Sequence, residues 1–144
     1  MRKRPAAEVA TKIAKRHSEL GDRLVDLAEA LLAELPYGRG VVRARMDLVR
    51  FVREQVLPDA VREEAGARAV SGPGLDVLVR AMPGEGRLLS VLADEIEADS
   101  SGVASAAAAG ALVALCQARW HSADRVLLPA MVASGADLRA LTAR

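Results

Sequence analysis

Apolar residues recur three and four positions apart along most of the chain, the spacing that lines one face of an α-helix. Between Pro5 and Pro36 the stripe runs through Ile13, Leu20, Leu24, Leu27 and Leu31, and Pro5 suits a first helical turn. His17 falls on that stripe, so it is expected to face inward. The turn LPYGRG closes this helix. A second stripe runs through Val42, Met46, Val49, Val52 and Val56 and continues onto Asp59 and Glu63, which aims two acids of VLPDAVREE at the core. Pro58 inside this pattern predicts a kink or a split. After the turn SGPG at 71–74, Leu75, Leu78, Met82, Leu89, Ala93 and Ile96 make a third stripe. PGEG at 83–86 predicts a break in it near Pro83, with empty space where Gly86 takes an inward position. Beyond SSG at 100–102, Leu112, Leu115, Cys116, Ala123, Val126, Leu127 and Ala130 share one side with Arg119. His121 projects away from that side unless Pro129 or a local bulge rotates the register.

Four amphipathic segments with short connections predict an all-α fold, an up-and-down antiparallel four-helix bundle. No strand pattern competes with it. The length of 144 residues fits one domain over 1–144, with a short basic start at 1–5 and a short terminal helix at 136–143.

Composition narrows the chemistry. Tyr37, Phe51 and Trp120 are the aromatic residues, so the core is built from Leu, Val and Ala. A formal net charge of +1 offers no bulk attraction to nucleic acid or anionic lipid. Arg43, Arg45, Arg50 and Arg53, interleaved with Asp47 and Glu54, read as a charged outer face; without stacking aromatics, a nucleic-acid partner is disfavoured. Cys116 stands alone, which excludes an internal disulfide and a cysteine metal cluster and predicts a reducing, cytoplasmic setting. Glu8, Lys12, Lys15 and Arg16 interrupt any signal-peptide stretch. VASAAAAGALVALC at 103–116 is shorter than the roughly 20 residues of a membrane span and reads as a packed helix, so no membrane is expected. Its small residues also suit a homodimer seam.

The periodicity aims His17, Asp59, Glu63 and Arg119 at one core. Histidines and carboxylates on facing helices are how bundles build metal sites. The blocks RHSEL at 16–20, FVREQVLPDAVREE at 51–64, AMPGEGRLLSVLADEI at 81–96 and ARWHSADRVLLPAM at 118–131 resemble, in order, those of bacterial hemerythrin-like (HHE cation-binding) domains. The resemblance implies a four-helix bundle and, in most of that family, a non-heme di-iron centre. It matches His17 and Glu63 to ligand positions. It also puts Asp59 where a histidine would stand, Gly86 in place of the third helix's histidine beside a retained Glu85, Arg119 in place of the fourth helix's histidine, and Ala123 in place of its glutamate.

The substitutions lead to three functional readings. The first is a divergent hemerythrin-like protein without cofactor whose central pocket binds a small molecule; there His17, Asp59 and Glu63 act as acid or base and Arg119 as anion partner, with isomerase, cyclase or dehydratase chemistry within reach. The alternative is a single iron or other divalent metal held by His17, Asp59 and Glu63, joined by His121 only if the last helix is re-registered, for oxygen or iron sensing. The third is a metal-free interaction module. An arginine forked between Asp59 and Glu63 also stands in for a dication's charge, which gives Arg119 a purely structural role.

Overall fold

The computed structural model describes residues 4–35, 38–69, 74–98 and 102–142. Every regular element among them is helical: α1 (Arg4–Glu34), α2 (Val41–Phe51), α3 (Leu57–Ala67), α4 (Asp76–Ala98), α5 (Gly102–Ser122), α6 (Leu128–Ser134) and a 3₁₀ turn at Arg139–Leu141. Single π turns, Val52–Val56 and Ala123–Leu127, join α2 to α3 and α5 to α6. The chain is thus four long helical segments packed on one another, compatible with a four-helix bundle. The terminal helix expected at 136–143 is reduced to the 3₁₀ turn. Tyr37, the SGPG residues 71–73 and the SSG residues 100–101 lie outside the described residues.

Both π turns have the same cause. Pro58 and Pro129 each sit two residues past the end of such a turn. In a regular α-helix a proline ring collides with the carbonyl four residues back. Here the residue before each proline bonds five back instead, Leu57 N–H to Val52 O and Leu128 N–H to Ala123 O, and the wider turn absorbs the ring. Pro83 behaves otherwise: α4 runs unbroken from Asp76 to Ala98 with the proline inside it, so the break expected at PGEG does not occur. Where turns are tight, backbone geometry demands glycine. A Cβ on Gly38 would stand 2.5 Å from the Glu34 carbonyl oxygen, and Gly135 closes α6 with φ of 76°.

The α1 stripe is as the periodicity reads it, with Ile13, His17, Leu20, Leu24, Leu27 and Leu31 all buried. The α2 stripe is not. Val42 and Met46 are 60% and 54% exposed, while Leu48 and Val49 are buried and Val41 and Ala44 pack against the core. The phase set by Val56, Asp59 and Glu63 therefore does not extend back to the start of α2. Val126, also expected inward, is 47% exposed. Arg53 turns from Glu54 to α4, where it bonds Asp94 at 2.7 Å and also Glu97. The helical run Gly102–Ser134 is long and apolar enough to cross a membrane, yet it packs on α1 and α4 and buries Arg119.

The core divides in two. One apolar cluster contains Leu20, Leu24, Val56, Ala60, Leu89, Cys116 and Trp120, and the other contains Ile13, Ala67, Met82, Leu127, Leu128 and Met131. On the first three segments the boundary between them is marked by an ionisable residue, His17, then Glu63, then Glu85; on the last segment the boundary falls between Trp120 and Leu127, and Arg119 lies just before it. A charged layer crosses the core at one level.

Gly86 offers a direct check on the space it was expected to leave. A Cβ built there meets nothing within 4 Å, and it does not line the small cavity beside the charged layer. With helix propensity left as the deciding effect, Gly86→Ala is expected to stabilise the fold by about 1 kcal/mol. That corresponds to a rise of about 2–4 °C in the melting midpoint, read by circular dichroism.

Candidate metal centre

His17 is held from both sides of its ring. Its Nδ1 lies 2.7 Å from Asp124 Oδ1, and its Nε2 contacts Glu63 Oε1 and lies 3.5 Å from Asp59 Oδ2. Trp120 covers one ring face at 5.9 Å between centroids, with 21° between planes. The imidazole, Asp59 and Glu63 are almost fully buried, while Asp124 is partly open to solvent.

Each carboxylate divides its oxygens between two tasks. Asp59 Oδ1 accepts from Arg16 Nε at 3.1 Å and from Arg62 Nη2 at 3.4 Å, while Oδ2 is buried without a hydrogen-bond partner and faces His17 Nε2. Glu63 Oε2 lies 3.9 Å from Arg119 Nη2, and its Oε1 faces the same ring nitrogen. One donor atom from each of His17, Asp59 and Glu63 thus falls within 4.8 Å of the other two.

Charge follows this geometry. Burial by itself pushes the His17 pKa down, but Asp59, Glu63 and Asp124 outweigh it and hold the imidazolium to about 10. Burial likewise favours the neutral form of Asp59, and it is overcome by His17, Arg16 and Arg62, which leave the carboxyl below its usual range. Asp59, Glu63, Asp124 and Glu85 face Arg16, Arg62, Arg119 and protonated His17. The group is electrically balanced while His17 carries its proton.

His17, Asp59, Glu63 and Arg119 are brought together as the sequence pattern implies, but the pairing differs. Arg119 does not fork between Asp59 and Glu63. It spans Glu63 and Glu85, with Nη1 3.3 Å from Glu85 Oε2; that contact is an ion pair too poorly aligned for a hydrogen bond, so Nη1 is buried without an acceptor. His121 is exposed and takes no part, because the π turn begins after it and leaves its register unrotated. Its neighbour Trp120 is the core residue of the two. Cys116 is buried and its thiol is pushed up to about 12, which suppresses the reactive thiolate.

Three partners escape the periodicity. Asp124 sits in a π turn, Arg62 flanks Asp59 by one turn of α3, and Arg16 precedes His17 at the edge of its stripe. The two arginines reach inward along flexible stems, which a pattern of apolar residues does not register.

The cavity bordered by Glu63, Leu78, Met82, Glu85, Arg119, Ser122, Ala123 and Leu127 measures about 10 Å³. It holds about one water molecule. Comparison with protein-family models, curated proteins and solved structures yields no match.

Proposed function

We propose that the protein binds one divalent transition-metal ion between His17, Asp59 and Glu63, on an up-and-down bundle of the hemerythrin-like kind. The carrying observation is the division of labour among ligand atoms. Nε2, Oδ2 and Oε1 converge, while the second atom of each group is engaged: Nδ1 by Asp124, Oδ1 by Arg16 and Arg62, Oε2 by Arg119. A carboxylate on the far nitrogen of a ligating histidine fixes its tautomer and raises its basicity. Asp59 Oδ2, buried and without a hydrogen bond, is the atom that a cation would satisfy.

The segment order supports the bundle arrangement. Along α1 the chain passes from the Ile13 cluster to the Leu20 cluster, through α3 it returns, and α4 and α5–α6 repeat the alternation. A di-iron centre does not fit. Gly86 and Ala123 supply no donor atom, and Arg119 places a cation at another of the matched positions. The cavity beside the cluster has room for about one water molecule, which disfavours an organic ligand there.

When bound, an iron, manganese or zinc ion supplies Lewis acidity, and iron or manganese adds redox chemistry. The chain's own part is to present three donors, exclude water around them and exchange a proton. With His17 protonated up to about pH 10, a metal must displace that proton, so apparent affinity rises with pH and about one proton is released per ion. We read this as a sensing or storage site for a metal ion.

Titration of metal-free protein with Fe(II) under argon, and with Mn(II) and Zn(II), tests the proposal. The expected result is one ion per chain and proton release at neutral pH. Asp124→Asn, which leaves the three ligands in place, is expected to weaken binding about 10–100-fold. A protein that takes up none of these ions is instead a metal-free ionic core.

A further inference from the structure

On one side of the cluster, exposure rises stepwise from Glu63 and Arg119 to Glu85. Glu63 and Arg119 are each 5% exposed, whereas Glu85, 3.3 Å from Arg119, is 27% exposed. The cavity of about 10 Å³ lies among these three groups, and Arg119 Nη1 borders it buried and without an acceptor. Other routes from the surface are less suited to a cation. Arg16 and Arg62 are half-buried over Asp59 and oppose an approaching positive charge. Asp124 is half-buried as well, but it meets Nδ1 of His17, the nitrogen turned away from Asp59 and Glu63.

We propose that Glu85 and Arg119 form the port through which a divalent cation reaches the centre: Glu85 is the first carboxylate it meets, and Arg119 is the latch that must swing aside. The inference rests on the metal-site reading above. Glu85 draws a hydrated cation to the mouth, and the same attraction loosens its hold on the guanidinium. Arg119 is suited to move, because its long stem has several rotors and one of its terminal nitrogens gives up no hydrogen bond on leaving. Once it turns, the Oε2 edge of Glu63 is uncovered, and the one-water cavity offers the first buried volume on the way in. The port thus sets how fast a metal enters and leaves, while the three ligands set how tightly it is held.

Stopped-flow uptake of Co(II), followed by its visible absorption, separates these roles. Glu85→Gln keeps the shape of the side chain and removes its charge; with its fold checked by circular dichroism, it is expected to slow uptake on the order of tenfold at low ionic strength. Release into excess chelator is expected to slow by the same factor, leaving the dissociation constant unchanged. Added salt is expected to slow the wild type and scarcely affect the variant. Equal uptake rates for wild type and Glu85→Gln would overturn the port, as would a variant that binds more weakly at an unaltered uptake rate, since Glu85 would then act as a ligand. A wild type that binds no Co(II) overturns the metal site itself. Co(II) binding with unchanged kinetics in the variant sinks the port alone.

Discussion

Replacing His17 by alanine is expected to abolish divalent-metal binding and to cost the metal-free fold about 3–5 kcal/mol. Two effects combine. The proposed ligand set would lose its one nitrogen donor and keep two carboxylates that already face Arg16, Arg62 and Arg119. In the metal-free protein, Asp59, Glu63 and Asp124 lose the imidazolium that all of them face, and breaking a buried ion pair from one side leaves charge uncompensated. Loss of the stacked contact with Trp120 adds to this. Calorimetric metal titration and urea unfolding read the two parts separately. The chain's other histidine supplies the control: exposed His121→Ala is expected to change stability by less than about 0.5 kcal/mol and to leave metal uptake intact. A His17→Ala protein that still binds one ion would remove the site from this layer.

The metal-free protein is also expected to lose stability in mild alkali. The pKa of His17 rises from 6.5 unfolded to about 10 folded, so its contribution is complete below about pH 6.5 and disappears as pH climbs through 10. A shift of this size is worth several kcal/mol at about 1.4 kcal/mol per unit, comparable with the whole stability of many domains. Urea midpoints are expected to fall steadily between pH 7 and pH 10. Asp124→Asn removes one of the carboxylates that hold the proton and is expected to flatten that slope. A metal bound as proposed would replace the proton on His17, so protein loaded with metal is expected to resist alkali where the metal-free protein does not. Identical slopes for wild type and Asp124→Asn would mean that the alkaline loss comes from other groups. At the acid end the sign is opposite: Asp59, held below its usual range, withdraws its contribution as pH falls through its folded value.

Much of the centre is legible in the sequence, and the limits of that legibility follow from particular residues. Helical spacing placed His17 among Ile13, Leu20 and Leu24 because a regular helix carries its phase over many turns. The same spacing failed at Val42 and Met46, since a π turn interrupts the segment and phase cannot be carried backward through it. In the sequence Gly86 implies a gap and Pro83 a break, yet α4 runs through both with nothing crowding the glycine. The three unforeseen partners, Arg16, Arg62 and Asp124, are ordinary charged residues by any count along the chain.

By itself, then, the sequence determined that the protein is helical, that its core is aliphatic, and that His17, Asp59, Glu63 and Arg119 lie on inward faces. These are properties of one helix at a time, set by backbone period and by which side chains avoid water. Only the tertiary structure decided who meets whom: Arg119 with Glu85 rather than Asp59, Asp124 behind His17, and Asp59 Oδ2 without a hydrogen bond. Such pairings depend on how helices are rotated and offset against one another, and along a single chain no period records that.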